Sequence, residues 1–300
     1  MLSILIPAYN YDITKLVTDL HIQAISLGID FEIVAMEDGS QKFLFENKSI
    51  KNLLSVKYTV LKENIGRSAI RNCLIDNAIY PYALFLDCDS EICRADFLEK
   101  YLKYCHKNCV VSGGRIYKND VDRRYSLLAK YGKMREQFNA KNLKIRDKYP
   151  VFTTPNFLID KNIFQKIRFD ESLKQYGHED TLFGLELQGQ SIDIQMIDNP
   201  VYHTGLDDNN TFLHKTELAL QTLFSLYKSG KYPLLSQNSK IISFYKKLEI
   251  LHLIKIIYFT FRIFKPLIIK NLTCKNPSLL LFDFYRLGIL CGLKNENWQL

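Results

Sequence analysis

The sequence predicts an α/β fold with a mainly parallel central sheet, followed by a helical and basic C-terminal extension. In the first hundred residues, short apolar runs with strand character alternate with segments whose apolar residues recur at helical spacing. This alternation is typical of βαβ units and of parallel sheets. From residue 213 onward the apolar spacing is helical. We therefore expect an α/β domain over residues 1–212 and a helical region over residues 213–300.

The elements of the α/β domain follow one another in a regular order. Strands are expected at residues 3–7, 31–36, 56–61 and 82–86, and helices at residues 13–27 and 68–77. Further along, we expect apolar structure at residues 151–160, a strand at 191–196, a loop at 207–211 and a helix at 213–229. The Lys-, Arg- and Asn-rich stretch at residues 118–148 fits either a surface helix or a mobile segment, and the sequence leaves both open.

The composition is that of an ordinary globular protein. Of the 300 residues, 47% are hydrophobic and 24% are charged, which excludes disordered and collagen-like chains. The seven cysteines contain no CxxC pair, so we expect free thiols in a reducing cytoplasm. The N-terminus lacks the basic region of a signal peptide, and no apolar run reaches the roughly 18 residues of a membrane-spanning helix. We therefore expect a cytoplasmic protein.

Two aspartates follow the fourth predicted strand. Asp87 and Asp89 come directly after an apolar run, so both carboxylates would lie at the edge where parallel sheets bind ligands. Carboxylate oxygens can hold a divalent cation, which in turn neutralises a diphosphate. Asp120 and Asp122 have the same spacing but no strand before them, and we expect no metal there. Neither GxGxxG nor a P-loop with its Lys occurs, which disfavours those nucleotide-binding classes.

Several short motifs occur together in register. They are SILIPAYN at residues 3–10, EDGS at 37–40, ENIGR at 63–67, AIRN at 69–72, FLDCD at 85–89, TPNF at 154–157, GHED at 177–180 and YHT at 202–204. Their order and spacing resemble the nucleotide-sugar domain of the family 2 glycosyltransferases, which have a GT-A type, Rossmann-like fold. The resemblance covers about residues 1–205 and leaves the last third of the chain outside it.

The resemblance implies a donor site and a metal site. Tyr9 would stack on the nucleobase, Asp38 would accept a hydrogen bond from the base, and Arg67 and Arg71 would lie beside the diphosphate. The full implied donor set is Pro7, Ala8, Tyr9, Asp38, Asn64, Arg67, Arg71 and Asp87. A divalent Mn²⁺ or Mg²⁺ would be held by Asp89 and His203, with Asp87 contacting metal or ribose. A turn at Asp38, a solvated basic face at Arg67 and Arg71, and a structural role for His203 are the open alternatives.

The resemblance also implies where the acceptor binds and which groups react. Asp180 would act as the base that removes the acceptor hydroxyl proton in an inverting transfer, with Glu179 beside it. The acceptor would lie near Thr154, Pro155, Asn156 and His178. The alternative for Glu179 and Asp180 is that they cap a helix beginning at Thr181, since acids favour a helix N-terminus. Both roles are compatible with each other.

The basic residues concentrate in the C-terminal third. Residues 240–270 contain seven Lys or Arg and one acid. In a single helix, five of these cations fall within an arc of about 80°; they are Lys240, Lys247, Lys255, Arg262 and Lys265. This pattern predicts a helix on an anionic membrane surface, ended or kinked at Pro266. The alternatives are a helix packed on the α/β domain with a solvated basic stripe, or a protein partner.

These inferences lead to one expected activity and two alternatives. We expect a metal-dependent, inverting transferase of a hexosyl or N-acetylhexosaminyl group from a nucleotide-sugar donor, with UDP as the nucleotide. The acceptor would be a saccharide or a lipid-linked saccharide, as in surface polysaccharide synthesis, and the enzyme would lie on the cytoplasmic face of the membrane. The alternatives are a sugar-phosphate nucleotidyltransferase, and a non-catalytic scaffold anchored by the C-terminal segment. We expect no nucleic-acid partner, because aromatic and basic residues are not interleaved before the C-terminal third.

Overall fold

A computed structural model describes residues 1–137, 152–173 and 175–294. Its strands are β1 Leu2–Ala8, β2 Phe31–Glu37, β3 Val56–Val60, β4 Tyr82–Leu86, β5 Ser90–Ile92, β6 Val110–Ser112, β7 Arg115–Ile116, β8 Asn156–Asp160, β9 Gln195–Met196 and β10 Val201–His203. Its α-helices are α1 Thr14–Ser26, α2 Leu44–Lys48, α3 Arg67–Asn77, α4 Phe97–Leu102, α5 Ser126–Tyr131, α6 Lys161–Phe164, α7 Glu179–Gly189, α8 Asn209–Ser229, α9 Leu235–Asn238, α10 Lys240–Ile250, α11 Ile254–Leu272 and α12 Leu279–Leu293.

The main sheet has the order β3-β2-β1-β4-β8-β6-β9. The pairs β1–β2, β2–β3, β1–β4 and β6–β9 are parallel, whereas β8 runs antiparallel to both of its neighbours. A smaller sheet has the order β5-β10-β7 and holds His203 at the end of β10. The parallel strands β1, β2 and β4 therefore end at one edge of the main sheet, and the residues that follow them meet there. The predicted α/β fold with a mainly parallel sheet is confirmed.

Both faces of the sheet are buried. Along β1, Leu2, Ile4 and Ile6 pack with α1 and α4 on one face, while Leu5 packs with α3 and α7 on the other. A central strand covered on both faces needs apolar residues in succession, because helices lie over each side of a parallel sheet. This requirement explains the continuous run from Leu2 to Ile6.

The chain forms two compact units. The sheet unit comprises Met1–Tyr117, Glu136–Lys174 and Glu179–Gly205, and the helical unit comprises Lys118–Arg135, Gln175–His178 and Leu206–Leu300. The core of the helical unit includes Leu127 of α5, Leu213 of α8, Phe261 of α11 and Phe282 of α12. The division at residue 212 that the sequence suggests stays a prediction, and residues 118–135 group here with the C-terminal helices.

The sequence predicts the elements of the first ninety residues closely but fails at three later places. Residues 191–193 lie outside any strand, and only Gln195–Met196 pairs with the sheet. The expected loop at 207–211 is wrong because α8 begins at Asn209. The Asp208 side chain accepts hydrogen bonds from the backbone N–H groups of Asn210 and Thr211, which is the usual signature of a helix N-cap. The stretch 118–148 is described as far as residue 137.

The predicted single helix over residues 240–270 is also wrong. It is interrupted after Ile250, where His252 has a left-handed backbone (φ +57°), and it resumes as α11 at Ile254. Pro266 does not end α11, which continues to Leu272. Phe261, Ile268 and Leu272 are buried in the core of the helical unit on both sides of this proline, and their burial offsets the lost backbone hydrogen bond.

Among the residues that the structure describes, no helix combines the length and the apolar character needed to cross a bilayer.

An aromatic cluster anchors α7 to the sheet. The ring of Phe183 stacks on Phe169 with a centroid separation of 4.3 Å and lies 5.1 Å from Phe152 and 5.4 Å from Phe164. We expect Phe183→Ala to lower the free energy of unfolding by about 3–5 kcal/mol, because it leaves a cavity in this cluster. Urea unfolding measures the loss. Phe45→Ala is the control, since Phe45 is 89% exposed; equal effects of the two changes would contradict the packing role of Phe183.

Candidate active site

The chain after β1 is held so that one aromatic ring stays open to solvent. Asn10 has a left-handed backbone (φ +51°), and its side-chain oxygen accepts hydrogen bonds from the backbone N–H groups of Gln41 (2.7 Å) and Lys42 (3.0 Å). Pro7 and Ala8 lie in β1, with Ala8 buried. Tyr9, between these fixed points, is 53% exposed. Its ring can therefore contact a ligand without displacing the core.

Asp38, at the end of β2, is tied to the loop before α3. Its two carboxylate oxygens accept hydrogen bonds from the backbone N–H groups of Ile65 (2.7 Å) and Gly66 (3.2 Å). The Asn64 side chain donates to the backbone carbonyl of Asp38 (3.0 Å). Burial raises the pKa of Asp38, although these two N–H groups oppose the change. Asp38 thus fixes the segment that leads into the arginines of α3, and each of its oxygens keeps a further lone pair for a ligand.

Arg71 forms a buried ion pair with Asp87. Nη2 of Arg71 lies 2.6 Å from Oδ1 of Asp87, and Nη1 donates to the backbone carbonyl of Arg67 (3.2 Å). Nε of Arg71 is buried, with no hydrogen-bond partner among the described residues. Arg67, one helical turn earlier, is half-exposed and lies 3.2 Å from Glu179. Arg71 is therefore held in place by its ion pair, whereas the Arg67 side chain is accessible to solvent.

Asp89, directly before β5, faces His203 at the end of the paired strand β10. Oδ2 of Asp89 lies 3.0 Å from Nε2 of His203. The backbone carbonyl of Asp89 accepts hydrogen bonds from both the N–H and the hydroxyl of Thr204. Burial by itself raises the pKa of Asp89, but the hydrogen bond and charge of His203, with Arg115 and Arg67, hold it below its usual value. Asp89 is thus kept as a carboxylate beside an imidazole.

These two groups fit a divalent cation as a partial ligand set. Asp89 and His203 bring a carboxylate oxygen and an imidazole nitrogen within 3.0 Å of each other, and both donor types suit a Mn²⁺-like ion. The part of the chain that the structure describes brings no three His, Cys, Asp or Glu side chains together around one metal position. Asp87, the third predicted ligand, is engaged by Arg71. Asp89 and His203 are therefore the residues that would hold a cation here.

Gly205 makes room for Asp89. A Cβ at position 205 would lie 2.5 Å from Oδ2 and 2.6 Å from Cβ of Asp89, which no side chain tolerates. We expect Gly205→Ala to displace Asp89 and to lower Mn²⁺-dependent activity roughly 10- to 100-fold, as changes next to metal ligands do. Activity titrated against Mn²⁺ measures this loss. Gly189→Ala is the control because a Cβ there meets nothing within 4 Å; an unchanged Mn²⁺ titration for Gly205→Ala would contradict the role of Gly205.

Glu179 and Asp180 form the first turn of α7. The helix starts at Glu179, two residues before the start expected at Thr181, and Oδ1 of Asp180 accepts a hydrogen bond from the backbone N–H of Thr181 (2.7 Å). Burial, followed by the charge of Glu179, raises the pKa of Asp180 to about 6. Burial also acts on Glu179, but the charges of Arg67 and Arg71 outweigh it and lower its pKa. Adjacent carboxyl groups thus have pKa values shifted in opposite directions.

Arg115 is a site residue that the sequence analysis missed. It is half-buried, and its guanidinium pairs with Glu136 at 2.7 Å. Desolvation lowers the pKa of Arg115, but the negative charges of Glu136, Asp87 and Asp180 raise it, and the net pKa lies above the usual value. Arg115 therefore lies close to both the Arg71–Asp87 pair and the Asp180 carboxyl. No motif marks it, because it lies on the two-residue strand β7, whose position depends on pairing with β10.

The predicted acceptor residues are not equivalent. Both polar atoms of the Asn156 side chain form hydrogen bonds within the protein. Nδ2 donates to the carbonyls of Gly114 and Asn199, and Oδ1 accepts from the Tyr101 hydroxyl. The Pro155 carbonyl accepts from the backbone N–H of Asp87 and so positions that residue. Thr154 is buried. His178 has a left-handed backbone (φ +72°) and belongs to the helical unit, whereas the other predicted site residues belong to the sheet unit.

The sequence comparison decides the family. Residues 3–168, more than half of the chain, match the family described as Glycosyl transferase family 2. The chain belongs to this family. The resemblance noted above is thereby confirmed over these residues, whereas the motifs at residues 177–180 and 202–204 lie beyond them.

Several known proteins are similar to this member of family 2. An uncharacterized glycosyltransferase of Rickettsia felis is 36% identical over 107 residues, which are 35% of this chain and only 17% of that protein. S. aureus TarS 1–349 is 17% identical over 99% of this chain and 93% of that one, with a TM-score of 0.51, or 0.50 for its complex with UDP-GlcNAc. The mannosyltransferase PcManGT of Pyrobaculum calidifontis, in complex with GDP-Man and Mn²⁺, is 12% identical over 78% of this chain and 66% of that one, with a TM-score of 0.53. These likenesses establish the GT-A-like fold.

Proposed function

We propose that this glycosyltransferase is a metal-dependent, inverting enzyme that transfers a hexosyl or N-acetylhexosaminyl group from a UDP-linked donor to a saccharide or lipid-linked saccharide. The observation that carries the proposal is the Asp180 carboxyl, which is half-buried beside Glu179 with a pKa raised to about 6, in a cluster that also contains Arg71, Asp87 and Arg115. A carboxylate of that pKa is matched to proton abstraction near neutral pH.

The donor side is supported by the residues at the ends of β1, β2 and β4. Tyr9 offers an exposed ring for the nucleobase, and Asp38 keeps acceptor capacity for a base N–H. Arg67 and Arg71 supply positive charge for a diphosphate, and arginine suits phosphate oxygens because of its planar, multiple N–H donors. UDP-GlcNAc bound to TarS is consistent with a UDP-linked donor here.

A divalent cation would be held by Asp89 and His203. When bound, it would stabilise the negative charge that develops on the departing nucleoside diphosphate. The 3.0 Å spacing of the two side chains and the space left by Gly205 support this assignment. PcManGT, a protein with a related fold, was solved with Mn²⁺. Asp87, held by Arg71, would contact the donor ribose or the metal through water.

Asp180 would move the proton. Its carboxylate takes the proton from the acceptor hydroxyl, the freed oxygen attacks the anomeric carbon, and the bond between that carbon and the diphosphate breaks with its electron pair going to the diphosphate. Arg115 and Arg71 favour the charged form of Asp180, whereas burial and Glu179 oppose it. The balance keeps the carboxyl basic enough to accept a proton without leaving it protonated at neutral pH.

Nucleotide binding tests the proposal directly. We expect UDP to raise the melting temperature of the full chain more with MnCl₂ than without it, and UDP-sugars to be turned over with release of UDP. Asp122→Asn is the matched control: Asp122 belongs to the other Asp-x-Asp sequence and caps a short helical turn, so it should behave as wild type. Stabilisation by no nucleotide would favour the scaffold, and formation of a nucleotide sugar from UTP and a sugar phosphate would favour the nucleotidyltransferase.

A further inference from the structure

The outward face of α11 is apolar. Ile256, Phe259, Ile263 and Leu267 are 60%, 66%, 56% and 64% exposed. They are spaced three or four residues apart, so they form one stripe along the helix. Their exposure is unusual because side chains of this size are normally turned inward on an amphipathic helix. We call these four residues the outer stripe.

The opposite face of α11 is already occupied within the helical unit. Phe261, Ile268 and Leu272 are buried against α12, and the Lys265 ammonium lies 3.5 Å from Glu217 of α8 and over the ring of Phe261. The Lys265 side chain is 40% exposed and pairs with an acid of the same unit, so its charge is partly compensated. Lys240 and Lys247 lie on α10, across the helix break.

Three cations border or end the outer stripe. Lys255 and Arg262 lie along one edge of it and Lys270 near its C-terminal end, and all three are exposed. Lys265 and Lys294 pair with Glu217 and Glu249, whereas the structure shows no ion pair for Lys255, Arg262 or Lys270 within the residues it describes. No Asp or Glu occurs in α11. The face is therefore apolar with uncompensated positive charge at its margin.

We propose that α11 docks the protein on an anionic membrane surface, with the outer stripe in the lipid interface and Lys255, Arg262 and Lys270 at the lipid headgroups. A helix of this kind binds through its buried apolar area together with attraction between its cations and anionic lipids. A second copy of the chain fits the same face poorly, because it would bring the same three cations together without an acid to pair them. A surface of negative headgroups over an apolar layer satisfies both parts of the face.

Vesicle sedimentation of the full chain tests the proposal. Vesicles of phosphatidylcholine with an equal amount of phosphatidylglycerol should bind the protein, and phosphatidylcholine alone should bind it much more weakly. We expect the double variant Phe259→Ser/Ile263→Ser to lower the partition coefficient at least about tenfold. We expect Lys255→Gln/Arg262→Gln to lower it by about fivefold per cation, an effect that added salt should abolish.

Control substitutions in the sheet unit distinguish docking through α11 from nonspecific adsorption to vesicles. Ile22→Ser/Phe45→Ser alters two residues of the sheet unit that are 60% and 89% exposed, and Lys166→Gln removes an exposed cation from that unit; both should bind as wild type. Far-ultraviolet circular dichroism checks that all variants fold. Absence of vesicle binding, equal loss in variants and controls, or a dimer by light scattering that Phe259→Ser dissociates would each overturn the proposal.

Discussion

Replacing Asp180 with Asn is expected to lower kcat by about 10²- to 10⁴-fold, which is the usual contribution of a general base. The amide keeps the size of the side chain but accepts no proton, so UDP and Mn²⁺ binding should change little. Single-turnover transfer from the UDP-sugar and UDP-induced stabilisation measure the two effects separately. Glu186→Gln is the control because it removes a carboxylate from the exposed side of the same helix. Near-normal turnover by Asp180→Asn would exclude it as the base.

The acid limb of the pH profile is expected to follow the same carboxyl. Because Asp180 must be deprotonated to accept the proton, kcat should fall as the pH is lowered through about 6. The charge of Glu179 raises the pKa of Asp180, so Glu179→Gln should move this limb to lower pH. If the acid limb of Glu179→Gln stays at the same pH or moves to higher pH, the assignment of this limb to Asp180 is contradicted.

Replacing Asp89 with Asn is expected to lower metal-dependent activity by at least about 100-fold, since charge stabilisation by a metal amounts to several kcal/mol and each 1.36 kcal/mol is tenfold in rate. The amide removes the negative charge that faces His203. The stabilisation by UDP that requires Mn²⁺ should disappear, while any metal-independent part should remain. Asp122→Asn again serves as the control. Full activity of Asp89→Asn at low Mn²⁺ would show that the metal, if present, binds elsewhere.

The strand ends were predictable because the signals there are local. Apolar runs followed by Tyr9, Asp38 and Asp87 mark where strands leave a parallel sheet, and the structure places all three after the predicted strands. The hydrogen bonds of the Asn156 side chain with Tyr101, Gly114 and Asn199 were not predictable from the sequence. Such bonds depend on which distant segments pack around it.

Other features needed tertiary information. Arg115 enters the site only because β7 pairs with β10, some 85 residues later in the chain. The break between α10 and α11 was also not predictable from the sequence. A helical wheel drawn over residues 240–270 assumes one continuous helix and omits the left-handed turn at His252. This turn separates Lys240 and Lys247 on α10 from Lys255, Arg262 and Lys265 on α11, so the five cations do not lie on one continuous helix.

The glycine at position 288 of α12 has a consequence for the whole length of α11. A Cβ there would collide with the ring of Phe261, and this ring packs edge-on against Tyr285 at 5.7 Å. The absence of a Cβ at position 288 therefore leaves the space that the Phe261 ring occupies. The packing of α11 thus depends on a residue of the neighbouring helix α12. A larger residue at 288 would force the Phe261 ring to shift, without any change in the sequence of α11 itself.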